Sequence, residues 1–185
     1  MPVEAGKKRM LAQRAPARSK SMTGDTARQH RPDPGTNRLV VFTLGDRRYG
    51  LPVAAVDRVV RAVDVTSLPK APDIVLGVVN VQGWVIAVIN VRRRFRLPER
   101  EIALTDQMVI ARTTRRPIAL MVDAVTGVLE YSKQEAVAAQ DVLPELQYVD
   151  GVVKLEDGLI LIHNLDDFLS LEEEAVLNRA LEADS

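Results

Sequence analysis

Cysteine is absent from the 185 residues, which excludes disulfides, thiolate metal centres and thiol nucleophiles together and suits a reducing compartment. Histidine occurs only twice, at His30 and His163, too few to complete a usual transition-metal set without cysteine. Charge of either sign is not in excess, with 25 basic and 25 acidic residues, so net charge points to neither nucleic acid nor anionic lipid. Aromatics are scarce, with one Trp, three Tyr and three Phe. No apolar run approaches the roughly 20 residues that span a bilayer, and the basic N-terminus lacks the apolar stretch of a signal peptide. No glycine-rich loop has P-loop or Rossmann spacing. The chain reads as soluble and cytoplasmic, with no cofactor, metal or small-molecule substrate.

What is present is valine, 26 times, in a chain that is 46% apolar. β-Branched residues fit the pleated, half-buried surface of a sheet. Charge is uneven along the chain: residues 1–38 hold nine Lys/Arg against three Asp/Glu, and residues 39–185 hold 16 against 22. Residues 1–37 have few large apolar side chains and no aromatic, so they read as a disordered basic tail that cannot offset its ordering entropy. The alternative for this tail is a basic arm for an acidic partner or nucleic acid.

From Arg38 the pattern becomes that of short strands. "RLVVFTL", a turn at "GDRR" and "YGLPV" predict a hairpin. "VAAVDRVV" places Val53, Val56 and Val60 at helical spacing and predicts one or two helical turns, and "TSLPKAPDIV" is a loop by its prolines. "VVNV", "QG" and "WVIAVINV" predict a second hairpin with Gly83 at positive φ. The plan then recurs. Residues 40–60 lie on 109–129 without a gap, with seven of 21 identities, and residues 77–91 lie on 151–165 with five of 15. Two copies of a small all-β unit follow, each too small to be stable without sharing an interface. The tail end, "SLEEEAVLNRALEADS", predicts a helix over 171–185 packing back on one barrel, with Ser170 and Glu173 at capping-box spacing.

Little here carries chemistry. His163 lies within "LILIHNL" and reads as a half-buried or edge strand residue, and the carboxylates of "LDDF" (165–168) read as a helix-turn cap. Basic "RRRFR" (92–96) and "TTRRP" (113–117) raise the alternative of a nucleic-acid-binding barrel. Against it, single-strand binding needs aromatic platforms, several of the seven aromatics read as core, and the ordered part is acidic. The enzyme reading has no residues to rest on.

The blocks "LVVFTLGDRRYGLPVAAVDRVV", "LPKAPDIVLGVVNVQGWVIAVINVRRRF", "ALMVDAVTGVL" and "YVDGVVKLEDGLILIHNLDDFL" resemble, in order, the CheW family of bacterial chemotaxis coupling proteins. The resemblance covers about residues 38–170. It implies a mainly β fold of two intertwined five-stranded SH3-like barrels, with repeats at about 38–104 and 107–169. It also implies a non-enzymatic adaptor that joins chemoreceptor tips to the regulatory domain of a CheA-type histidine kinase. An adaptor of a non-flagellar chemosensory pathway is the alternative within the same family.

Three positions depart from the family pattern. Gln82 stands in "NVQG" where the family usually has arginine, Ala87 and Asn90 stand for a proline and an aspartate, and Arg58 stands for a commonly acidic residue. Arg58 and Gln82 suggest either a rewired groove in which the glutamine amide oxygen accepts from the arginine, or two solvated positions that have simply drifted, since exposed pairs contribute little. By position, the resemblance implies Val56, Arg58, Gly77, Gln82, Val125 and Val128 as residues of a receptor groove between the barrels. It implies Arg47, Arg48 and Val59 for kinase contact. The valines read equally as core, and Gly77 as a backbone requirement.

Overall fold

The computed structural model describes residues 36–139 and 148–183. The basic tail therefore falls outside the described residues as far as residue 35. Thr36 and Asn37 already belong to the first strand, because they pair with Ser132 and Tyr131. Strands β1 (Thr36–Leu44), β2 (Arg47–Pro52), β3 (Val56–Arg61), β4 (Val75–Val81) and β5 (Trp84–Asn90) make up the first half. Strands β6 (Gln107–Arg112), β7 (Pro117–Val122), β8 (Ala124–Ser132), β9 (Ala136–Ala138), β10 (Val149–Leu155) and β11 (Gly158–His163) make up the second. Two α-helices are described, α1 (Val91–Arg94) and α2 (Leu171–Ala183).

Both predicted hairpins form, closed by two-residue turns at Gly45–Asp46 and Gln82–Gly83. The helical reading of "VAAVDRVV" is corrected: only Val53–Ala55 make a single 3-10 turn, and β3 follows at once. Val56–Arg61 pair with β6, and a ladder partner together with β-branched side chains outweighs a marginal apolar spacing.

The strands form a six-stranded sheet, β8-β1-β2-β11-β10-β9, and a five-stranded sheet, β3-β6-β7-β5-β4. The fold is mainly β as expected, and the halves are intertwined. The hairpin β1–β2 sits in the sheet of the second half, and β6–β7 sits in the sheet of the first. The expected closed five-stranded barrels are corrected to open sheets of six and five strands. β9 adds a strand to one, and in the other only the bridge Thr66↔Val78 links the segment after β3 back to β4. Pro69 and Pro72 lie in that segment, and proline cannot extend a ladder.

The repeat read from the sequence is the symmetry of the pairing. Tyr49↔Leu161 in the parallel pair β2·β11 corresponds to Ile118↔Ala87 in the parallel pair β5·β7. The bulge that leaves Asp57 unpaired in β3 corresponds to the one that leaves Thr126 unpaired in β8. Burial follows the same plan. Val79, Ile86, Val88, Met108 and Ile110 pack within the five-stranded sheet, and their counterparts Val153, Ile160, Ile162, Leu39 and Val41 pack within the six-stranded one. A larger cluster draws on both sheets, from Phe42, Tyr49 and Leu51 to Ile89, Ile118 and Leu120.

Asn90 and Asn164, identical across the repeats, do the same work. The Asn90 side chain accepts from Arg93 N (3.0 Å) to cap α1, and Asn164 accepts from Asp166 N (3.0 Å). Asparagine caps a helix as well as aspartate does, which accounts for the tolerated departure at Asn90. Asp166 itself accepts from the backbone and hydroxyl of Thr114 (2.6 and 3.0 Å). Helix α2 starts with the expected capping box, Glu173 N to Ser170 Oγ and Ser170 N to Glu173 Oε2 (3.1 and 2.7 Å). Its Leu177 and Ala180 enter the shared cluster, and Arg94 reaches Glu173 at 2.6 Å.

His163, read from the sequence as half-buried or at an edge, is instead fully buried in the core. It is 2% exposed, stacks on Phe95 at 4.3 Å between ring centroids, and holds the Tyr148 carbonyl with Nδ1 at 2.7 Å. Among the described residues its Nε2 is buried without a partner, and the matching position of the first repeat is the buried Ile89.

Two stability measurements follow from this packing. Gly77 has φ of +148°, and a Cβ there would lie 2.1 Å from the Thr66 carbonyl oxygen. Gly77→Ala is expected to lower unfolding free energy by at least ~2 kcal/mol in urea titration. Gly151→Ala at the matching position, 3.2 Å from Val137 O, should cost clearly less; equal costs would refute the backbone account. For His163, burial pushes the imidazole down to about 4, against an upward pull from the Tyr148 carbonyl. Above its ordinary value of 6.5, folded and unfolded states are both neutral. As pH falls from there towards 4, the unfolded chain binds a proton that the folded one refuses, so stability drops by about 3 kcal/mol. His163→Ile should flatten that slope, and superimposable pH profiles of variant and parent would disprove it.

Candidate docking groove

A groove of about 350 Å³ opens at one end of the five-stranded sheet, between the β4–β5 turn, the β6–β7 turn and β3. Its floor is apolar, from Ile86 on β5 and Ile110 on β6, both buried. Over this floor stands Trp84, 73% exposed. The tryptophan is the first residue of β5, paired with Val81 across the turn. Gln82 and Gly83 both have positive φ, +54° and +88°, the type I′ geometry that matches strand twist. The Gly83 N–H is held by Asn80 Oδ1 at 2.8 Å.

The rim is rich in arginine. Asp57 accepts from Arg112 Nε through both oxygens (3.0 and 2.8 Å), and this bonding raises the guanidinium's pKa above its ordinary value. The β3 bulge makes Asp57 the unpaired residue opposite β6, and bulges re-aim side chains in this way. Arg116 turns from the groove wall to α2, with Nε 3.1 Å from Glu174 Oε2 in an ion pair too bent to be a hydrogen bond. It also donates to Asn178 Oδ1. Arg58 and Arg115 complete the rim, both exposed.

The equivalent end of the six-stranded sheet is filled differently. Arg48 stands where the first sheet has Pro117, Asp157 where it has Gly83, and Gly158 where it has Trp84. Arg48 forms a two-pronged pair with Asp157 (2.9 and 3.0 Å). Its Nη2 lies 3.0 Å from where a Cβ on Gly158 would be.

The six residues placed in a receptor groove by resemblance do not all line this groove. Arg58 and Gln82 line the groove. Val56 and Val125, at matching repeat positions, are half-buried against the shared cluster. Gly77 is buried beside Thr66. Val128 is 59% exposed, but on β8 at the edge of the other sheet. Among the described residues no hydrogen bond joins Gln82 to Arg58, so the expected rewired pair does not form; the acid of this region is Asp57, bonded to Arg112. Of the residues assigned to kinase contact, Val59 is 37% exposed on edge strand β3. Arg47 is exposed, and Arg48 is engaged by Asp157. Trp84 was not singled out by sequence. The signal was its repeat partner Gly158, since a position that accepts glycine in one copy is not one that the core requires filled.

The CheW-like domain family model matches residues 38–173. The chain is 27% identical over 141 residues to the chemotaxis protein CheW of Rhizobium meliloti, covering 75% of this chain and 91% of that one. It is 28% identical over 118 residues to protein FrzA of Myxococcus xanthus, covering 64% and 68%. The crystal structure of the scaffolding protein TtCheW from Thermoanaerobacter tengcongensis resembles it with a TM-score of 0.67 at 27% identity, over 74% of this chain and 94% of that one.

Gln82 offers a test of the turn and the rim together. A side chain with a Cβ at φ of +54° is strained, and type I′ turns favour asparagine there. Gln82→Asn should therefore raise stability by ~0.5–1 kcal/mol. Gln82→Arg keeps the strain and adds a guanidinium to the rim that already holds Arg58, so its melting temperature should fall below the parent's. An equal or higher value would remove the charge conflict.

Proposed function

Because this chain belongs to the CheW-like domain family, we propose that its Trp84 groove docks the cytoplasmic tip of a chemoreceptor and that the protein holds that receptor to a CheA-type histidine kinase. The protein is a coupling adaptor of chemotaxis signal transduction, and its family is one of scaffolds. The observation that carries the docking assignment is Trp84, 73% exposed above a buried aliphatic floor. Tryptophan set in an apolar pocket is the residue type that dominates interface energies. A receptor helix would seat one apolar side chain on Ile86 and Ile110 and cover the indole. The regulatory domain of the kinase would meet the open edge of β3 at Val59 and Arg47 beside the β1–β2 turn, with Arg48 already paired to Asp157. No helix among the described residues is long and apolar enough to cross a membrane; the protein would reach the inner face of the membrane through the receptor. The family and its relatives favour this reading over a barrel that binds nucleic acid.

The test uses the full chain, a receptor signalling fragment and the kinase regulatory domain from the same organism. Trp84→Ala is expected to weaken the receptor fragment at least ~10-fold, or about 1.4 kcal/mol, while kinase-domain affinity stays within twofold. Circular dichroism should be unchanged, since the indole is exposed. Unaltered receptor affinity would rule out this groove as the docking site.

A further inference from the structure

The groove's charge is not that of the chain around it. Residues 39–185 carry 16 basic against 22 acidic residues, yet four arginines and a single acid line the groove. Two of the four have their charge paired internally: Arg112 by Asp57 and Arg116 by Glu174. Among the described residues, Arg58 and Arg115 have no acidic partner, and both are exposed. They stand on different elements, Arg58 on β3 and Arg115 in the β6–β7 turn. That turn is anchored, since Asp166 holds Thr114 and α2 holds Arg116, so Arg115 is presented from a fixed support.

We infer that the groove selects a protein segment carrying an apolar anchor flanked by carboxylates, with Arg58 and Arg115 as the residues that set this preference. This deepens the docking assignment above and rests on it. The anchor seats on Ile86 and Ile110 beside Trp84, and one carboxylate meets each guanidinium, which offers the fork geometry suited to that group. A groove of one sign on a body of the other steers such a segment to this end of the molecule and repels it elsewhere. Polyphosphate chains fit less well, because the floor is aliphatic, one aromatic alone is offered for stacking, and the rest of the ordered chain is acidic.

Trp84 is the chain's single tryptophan, so its fluorescence reports the groove alone. The full-length protein is titrated with two synthetic helical peptides that share one leucine-bearing core, one flanked by glutamates and one by lysines, and with a dT oligonucleotide. The glutamate peptide should shift the emission to the blue and saturate, and the lysine peptide should bind at least ~10-fold more weakly. In Arg58→Glu/Arg115→Glu the order should reverse. Neither arginine makes a side-chain bond within the described residues, so the fold survives the change. The inference is overturned if the glutamate peptide gives no response, if the peptides bind alike, if the double variant keeps the parent's preference, or if the oligonucleotide binds more tightly than the glutamate peptide. The receptor-fragment result for Trp84→Ala is independent of these outcomes, so failure of the charge preference and failure of the docking site are told apart.

Discussion

The reciprocal exchange of hairpins is the constraint on which the rest of the structure depends. β1–β2 pairs in parallel with β11, and β6–β7 pairs in parallel with β5. Neither repeat can complete its own sheet, so the two halves order together. The shared cluster then buries Phe42 and Leu51 against Ile118 and Leu120, burial that neither half provides alone. The cost is a long connection between halves that must itself be held. Asp123 does much of this. It takes the Gly45 N–H at 2.7 Å and the guanidiniums of Arg92 and Arg100. Burial pushes its carboxyl up, but these donors outweigh burial and hold it below the usual carboxylate range. Arg100 also reaches the buried Asp106 at 2.6 Å, and the loop over 97–106 is thereby fastened between sheets.

The groove lies where the symmetry is broken. The two sheets share a pairing plan and matching clusters, yet one end carries the groove and the other the Arg48–Asp157 pair. The difference lies in a few side chains. Gly158 and Asp157 let Arg48 lie down across one end, while Trp84, Gly83 and Pro117 leave the other as a groove. Duplication supplies a stable frame, and substitution at the rim of one copy supplies a site without disturbing the core.

The mainly β class, both hairpins, the repeat and the capping box were legible from the sequence because each rests on local chemistry: β-branched alternation, turn residues at fixed offsets, Ser170 three residues before Glu173. The helical reading of 53–60 went astray because Val53, Val56 and Val60 satisfy two periods, and only pairing with β6 decides between them. Two of the six groove candidates, Arg58 and Gln82, line this groove and the others do not, for a related reason. Position along a strand says which residues match a family, but parity and bulges say which way they face. Val56 and Arg58 are two apart in sequence, which in a regular strand is one face. With Asp57 bulged between them, Val56 joins the shared cluster and Arg58 the groove.

By itself the sequence determined the strands, their doubling and the family, since side-chain type and spacing set what each short segment prefers. Only the tertiary structure decided which guanidiniums are left unmatched and that Trp84 stands in the open. Asp57 and Arg112 are 55 residues apart, and Arg116 and Glu174 are 58 apart. Long-range pairing of this kind is what turns a list of arginines into a groove with a preference of its own.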